Sequence, residues 1–185
     1  MRDLKTGSYI KSTAELIGSF FENTTILIVE HNEEGSVGFV VNRSFEKSLN
    51  ELIEFNYSKP FSLMDGGPVD RDHLFVLHNR PDLIDGGKAI PNGLYLGGNM
   101  EQVIEAINTK GATDQGIQLF IGYCGWDLGE LEAELEEGSW TLSNDELKIS
   151  DSGNEHLYDF GQQLYFLCLL KCSLSLITIL KSKIL

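Results

Sequence analysis

The residues of this chain whose types could do chemistry stand beside glycines. Tyr123, Cys124 and Trp126 lie in "GYCGWDLGELEAEL", residues 122–135, and Gly66 and Gly67 lie in "DGGPVD", residues 65–70. Asn42 and Arg43 close the β-branched run "SVGFVVNR", and His78 closes "DHLFVLH". A guanidinium offers a fork of donors, and consecutive glycine amides can form an anion-binding nest. Asn42, Arg43, Gly66, Gly67, His78 and Tyr123 are therefore the candidate lining of a pocket for a small anionic ligand. The competing reading is structural: Asn42 and His78 satisfy loop carbonyls, Arg43 pairs with a surface carboxylate, and the glycines permit a turn.

Cys124 invites a catalytic reading, because a thiol between a strand and a helix is placed like a nucleophile elbow and a helix start can lower its pKa. The elbow, however, needs glycine two residues after the nucleophile, and Trp126 fills that place. His31, His73, His78 and His156 show no metal-ligand spacing, and "EHNEE" is not the two-histidine helix motif of zinc hydrolases. The expectation is no metal, no cofactor and no catalytic residues. A small hydrolase or thiol-dependent enzyme using Cys124 and His78 is the alternative.

Elements must position these groups. "TTILIVE", residues 24–30, and "SVGFVVN", residues 36–42, read as a hairpin turned by "HNEEG", with both strands covered on two faces. Residues 72–78, "GLYL" at 93–96 and "GIQLFIGY" at 116–123 read as further strands. "LNELIEF", residues 49–55, has helical spacing at Leu49, Leu52 and Ile53. A second helix is expected after Asn99 as N-cap, with Met100, Val103, Ile104 and Ile107 on one face and a stop near Gly111. A third follows Trp126, with Asp127 as N-cap, Glu130 reaching back in a capping box, a staple of Trp126 on Leu131, an apolar stripe of Leu128, Leu131 and Leu135, and Gly138 as the stop. Strands outnumber helices and neighbours can be joined as hairpins, so the pattern predicts an α+β fold with a mixed or antiparallel sheet.

Bulk composition bounds the function. At 185 residues, one domain of ordinary size is the default, with residues 1–150 as its body. The formal net charge is -14, and residues 1–150 hold 11 basic against 25 acidic side chains. Such a polyanion repels phosphate backbones, which argues against direct binding of nucleic acid. Three cysteines do not make a secreted disulfide framework, and the first residues lack a signal-peptide core, so the expected compartment is the cytoplasm. The stretch 164–180, in a divergent tail spanning 151–185, is apolar at 13 of 17 positions but carries Lys171 in its middle. It is at the lower limit of a bilayer span, and membrane attachment ranks below a divergent end or a buried terminal element.

The segments "FFENTTILIVEHNEEGSVGFVVNR", "GGPVDRDHLFVLH" and "GYCGWDLGELEAELEEGSW", in this order, resemble the hallmark segments of the YqgE/AlgH family of small bacterial proteins. The resemblance covers residues 7–143 and maps onto Glu30, His31, Gly35, Gly38, Asn42, Arg43, Gly66, Gly67, Pro68, His78, Gly122, Tyr123, Gly125, Trp126, Leu131 and Glu134. Cys124 stands where relatives usually carry alanine or serine, Glu130 where they usually carry glutamine, and the proline usual near the N-terminus is missing. What the resemblance implies is a barrel-like, bifurcated sheet surrounded by helices. Some members are named as transcriptional regulators of polysaccharide production. Together with the charge, this favours a non-catalytic regulatory or binding protein that acts through a protein or small-molecule partner.

Overall fold

The computed structural model describes residues 3–143, and the apolar tail falls outside them. Its strands are β1 (Tyr9–Ser12), β2 (Thr25–Asn32), β3 (Gly35–Val40), β4 (Ser44–Ser48), β5 (Ser62–Asp65), β6 (Val69–His78), β7 (Lys88–Ile90), β8 (Leu94–Leu96), β9 (Ile117–Trp126) and β10 (Trp140–Ser143). Two α-helices accompany them among the described residues, α1 (Met100–Thr109) and α2 (Glu130–Glu136). The main path through the sheet is β10-β1-β2-β3-β9-β6-β8-β7, and a β4–β5 branch joins at β9. Only the β5–β9 pair is parallel among the pairings of the described strands.

β9 is the stem of the bifurcation. Its first half, Ile117–Ile121, pairs with β6, and Leu119–Ile121 also pairs with β5; its last residues, Cys124–Trp126, pair with β3. Between the halves Gly122 has φ +70, which only a residue without Cβ adopts cheaply. That kink changes which way successive side chains point. Phe120 and Tyr123 both pack in the inner cluster although three positions separate them, while Ile121 and Cys124 face elsewhere.

The β2–β3 hairpin forms as the sequence predicts, and its two strands are buried on both faces. Leu27, Val29, Val37 and Phe39 enter a cluster with Phe75, Leu77, Leu94, Leu96 and Phe120; Ile26, Ile28 and Val40 enter another with Trp126, Leu131 and Trp140. The first cluster draws on strands from β1 to β7 along the sheet path, so it is the concave interior of a half-barrel. The curl brings β7 back toward β1 and β2: a Cβ on Gly7, ahead of β1, would lie 2.8 Å from Cβ of Pro91, just after β7. Lys88 of β7 also reaches Glu30 of β2 at 3.3 Å.

The helices do not surround this sheet; they cover separate patches of it. α1 seals a cluster of Leu63, Val76, Ile117, Leu119 and Ile121 with Val103, Ile104 and Ile107. Each such side chain contributes about 1.5–3 kcal/mol by leaving water. Asn99 caps α1 as expected, its side chain accepting from the Gln102 N–H at 3.1 Å. α2 lies over the Trp126–Trp140 cluster.

Three local expectations differ from the structure. Residues 49–55 form two 3-10 turns, Leu49–Glu51 and Ile53–Phe55, separated by an extended Leu52, and Ile53 is 86% exposed. The Glu51 carboxylate, accepting the Ser48 N–H at 2.7 Å, closes a single capped turn, and the extended Leu52 ends it before an α-helical ladder can form. β9 does not turn at Tyr123 but continues to Trp126, because β3 supplies partners as far as Ser36. α2 consequently starts late, with Gly129 (φ +82) at the N-cap position in place of Asp127. Glu130 still accepts the Asp127 N–H at 2.8 Å, Trp126 and Leu131 still share a cluster, and Leu128 leaves the stripe at 67% exposure. At the far end Gly138 N–H donates to the Leu135 carbonyl and Ser139 N–H to that of Glu134, a Schellman stop.

Candidate functional site

The polar residues named from the sequence are used locally, each by its own surroundings. Asn42 sits just past β3, where its Oδ1 accepts the Thr25 N–H and its Nδ2 donates to the Asn23 carbonyl, both at 2.9 Å. Arg43 donates from Nη1 to the Phe20 carbonyl at 2.8 Å and from Nη2 to that of Glu22 at 3.3 Å, with its guanidinium 4.7 Å from the Phe20 ring centre. Both side chains tie the 20–24 loop to the sheet. Arg43 takes carbonyls there, not the carboxylate that a surface partner would supply.

Gly66, Gly67 and Pro68 link β5 to β6 at the branch point. Gly66 donates its N–H to the Ile121 carbonyl at 2.9 Å, and its own carbonyl accepts the Val40 N–H at 2.9 Å. A Cβ on Gly67 would stand 2.2 Å from the Tyr123 carbonyl, and one on Gly122 would stand 2.4 Å from the Gly67 carbonyl. These glycines let two backbones cross at near contact. Gly38 and Gly35 do the same beside β2 and Trp126: a Cβ on Gly38 would meet Ile26 at 2.5 Å, and one on Gly35 the Trp126 carbonyl at 2.2 Å.

Tyr123 is buried in the inner cluster, its ring edge-on to Phe75 at 5.5 Å. His78 lies at the opposite end of the β6–β9 pair, where it faces Ile117, while Tyr123 faces Val69. The imidazole is fully buried and stacks on Tyr95 at 5.4 Å. Its Nδ1 accepts the Arg80 N–H at 3.1 Å, so the neutral ring carries its proton on Nε2. Nε2 has no hydrogen-bond partner among the described residues and packs against glycines, where a Cβ on Gly87 would come within 2.9 Å of it. Burial lowers the His78 pKa, and the nearby Gly97 carbonyl offsets part of that. The backbones of Arg43, Gly66, Gly67 and Tyr123 adjoin at the branch point, where the Arg43 carbonyl accepts the Asp65 N–H at 2.9 Å and Gly67 abuts Tyr123. The Asn42 and Arg43 side chains, however, turn to the 20–24 loop, the Tyr123 ring enters the core, and His78 lies at the far end of the β6–β9 pair. Cys124 is buried too, its Sγ donating to the Gly66 carbonyl at 3.4 Å.

The polar groups that do converge gather around α2. Glu134 Oε2 accepts from Trp126 Nε1 at 2.9 Å and from Trp140 Nε1 at 2.8 Å, so one carboxylate oxygen locks β9, α2 and β10 together. Nearby, His31 Nδ1 lies 2.9 Å from Ser36 Oγ, and His31 Nε2 lies 3.7 Å from Oε1 of Glu132, two residues earlier in α2 than Glu134. The signal for the first contact was in the hairpin: a two-residue turn of Glu33 and Glu34 sets Asn32 opposite Gly35 and hence His31 opposite Ser36. Nothing local in the sequence points to Glu132.

Around these groups the surface is acidic. Glu130, Glu136 and Glu137 are exposed on or beside α2, Glu33 and Glu34 are exposed on the adjoining hairpin turn, and Asp127 lies between. No basic residue lies within α2, and Leu128 protrudes at its start.

Comparison with known proteins places the architecture. The model of the AlgH-like family (DUF179) matches residues 9–160. The chain belongs to this family. A UPF0301 protein of Chlorobaculum tepidum is 43% identical over 137 residues, covering 74% of this chain and 73% of the relative. A UPF0301 protein of Bacteroides thetaiotaomicron is 36% identical over 141 residues, covering 76% and 71%. The solution structure of AlgH from Pseudomonas aeruginosa superposes with a TM-score of 0.59 at 25% identity, over 77% of this chain and 80% of that one. The crystal structure of DIP2367 from Corynebacterium diphtheriae shares the fold, with a TM-score of 0.60 over 77% and 76% of the chains at 20% identity. The kinked β9 and the glycine crossing are therefore the framework on which this family member carries its acidic α2 face.

Proposed function

We propose that this AlgH-like protein is a non-catalytic binding protein with a regulatory role, and that its partner is a basic protein segment received on the acidic face of α2 and the β2–β3 turn. The carrying observation is that acidic surface: Glu130, Glu136 and Glu137 are exposed on or beside α2, Glu33 and Glu34 are exposed on the β2–β3 turn, and Leu128, just before α2, is 67% exposed. A protruding apolar side chain on a surface of one sign of charge suits a partner with an apolar contact flanked by lysine or arginine, since the charges steer the encounter and the desolvated contact holds it. In this reading any effect on transcription runs through the protein partner, because a body of this charge disfavours contact with DNA. The protein works in the cytoplasm, where free thiols stay reduced. The thiol-enzyme alternative draws no support from Cys124, whose Sγ is buried against the Gly66 carbonyl.

The test is calorimetric titration of the full chain with a Lys/Arg-rich peptide containing one leucine, at low and high salt. Binding should weaken with salt and fall further for Glu130→Gln/Glu136→Gln/Glu137→Gln and for Leu128→Ser, while Glu101→Gln/Glu105→Gln on α1 should bind as the parent does. Equal loss in the α1 variant would reduce the effect to net charge and remove the proposed face.

A further inference from the structure

A single asparagine in this chain is followed by glycine. In "PNG", residues 91–93, Asn92 precedes Gly93, and every other asparagine precedes a residue that carries a side chain. The pair sits at the tip of the link between β7 and β8: Pro91–Gly93 is a 3-10 turn, closed by the pairing of Ile90 with Leu94. Asn92 has φ 67 and ψ 23, and Gly93 has φ 72. Both residues are exposed, and a Cβ placed on Gly93 would find nothing within 4 Å. The Asn92 amide makes no hydrogen bond among the described residues, whereas Asn42, Asn99 and Asn108 accept backbone N–H groups with theirs. The two Asp–Gly steps, 65–66 and 85–86, differ in chemistry and in restraint. An ionised carboxylate is a poor acceptor of a nucleophile, and Asp65 is held by Arg71 and Asp85 by Gln102.

We propose that Asn92–Gly93 is a modification site, the place at which the folded chain deamidates spontaneously to aspartate and isoaspartate. The Gly93 main-chain nitrogen attacks Asn92 Cγ and closes a five-membered succinimide; the side-chain amide nitrogen leaves as ammonia, taking with it the proton that Gly93 N–H gives up. Water then opens the ring at either carbonyl, one route giving aspartate and the other isoaspartate. Glycine alone lacks the Cβ that would crowd the attacking nitrogen. Attack needs Asn92 ψ to swing away from 23°, which an exposed, unpacked turn does at little free-energy cost. Isoaspartate routes the main chain through Cβ and so lengthens a link of 3 residues, and either product adds a carboxylate to a chain of net charge -14. The altered link stands where β7 returns toward β1, since Pro91 Cβ lies 2.8 Å from where a Cβ on Gly7 would be. The site is independent of the protein-binding face on α2.

The experiment incubates the full chain at mildly alkaline pH, with and without urea, until the urea sample has converted. Trypsin then releases the 89–110 peptide for mass spectrometry, and S-adenosylmethionine-dependent carboxyl methylation reads isoaspartate in the intact chain. The peptide should gain the mass of an amide-to-acid change at Asn92 before Asn99 or Asn108, and the folded chain should do so within about tenfold of the rate in urea. Asn92→Gln should lose most of the methylation, and Gly93→Ala should slow it. The Tm of each fresh variant reports whether it has folded. An Asn92 that stays intact in the folded chain overturns the proposal, as does conversion that reaches Asn99 or Asn108 first, or methylation undiminished in a folded Asn92→Gln.

Discussion

Single residues in this protein are constrained by what their neighbours leave unmet. His78 is buried with a lowered pKa, burial being the larger cause, so the folded state resists protonating a ring that the unfolded chain protonates normally. Its contribution is fully present above the ordinary histidine pKa of about 6.5 and is lost as pH falls from there through the lower folded value. Thermal unfolding followed from pH 8 downward should therefore show a drop in Tm that is shallower in His78→Gln, although that variant starts less stable. Gly122 is constrained twice, by φ +70 and by the Gly67 carbonyl, 2.4 Å from where a Cβ would stand. Gly129 has φ +82 with nothing within 4 Å of such a Cβ. Gly129→Ala should cost about 1–2 kcal/mol for the left-handed backbone alone. Gly122→Ala should cost more, in urea unfolding, because the obstacle is backbone and cannot rotate aside.

At the scale of elements, α2 is seven residues long, too short to be stable by itself. It is held by Leu131 and by Glu134, whose Oε2 accepts both indole N–H groups. Removing that acceptor leaves two mostly buried donors unmet, at about 1–3 kcal/mol each. Glu134→Ala should thus lower unfolding free energy by about 2 kcal/mol or more and alter the fluorescence of Trp126 and Trp140; a loss below about 0.5 kcal/mol would mean that water replaces the carboxylate easily. The sequence shows Glu134 only as one glutamate in a run of them. Its role depends on β10 returning to β1, which brings Trp140 beside Trp126 at 6.1 Å between ring centres. The 49–55 segment teaches the converse lesson: apolar spacing was legible there, but Leu49, Leu52 and Phe55 reach the α1 cluster from two short turns.

For the whole molecule, charge and curvature matter most. A net charge of -14 concentrates like charge on a half-barrel whose β7 edge returns to the β1–β2 side through Gly7, Pro91 and the Lys88–Glu30 pair, with no ladder between them among the described strands. Self-repulsion opposes the compact state, and at physiological ionic strength it is screened beyond about 8 Å. Raising sodium chloride from low to moderate concentration should therefore raise Tm; a Tm that falls steadily with salt would show that local ion pairs outweigh the overall repulsion.

The sequence by itself determined the family, through three segments that resemble its hallmark motifs, and also the β2–β3 hairpin, the α1 cap and stripe, and the acidic balance, because each of these last rests on short-range periodicity, capping chemistry or composition. Tertiary structure alone decided that Gly66 and Gly67 abut Tyr123 while His78 lies at the far end of the β6–β9 pair and Arg43 turns to the Phe20 carbonyl, that Cys124 faces the Gly66 carbonyl, and that His31 meets Glu132. The physical reason is the kink at Gly122. A strand's alternation tells which residues share a face only while its backbone stays regular, and one left-handed glycine in β9 exchanges the faces beyond it.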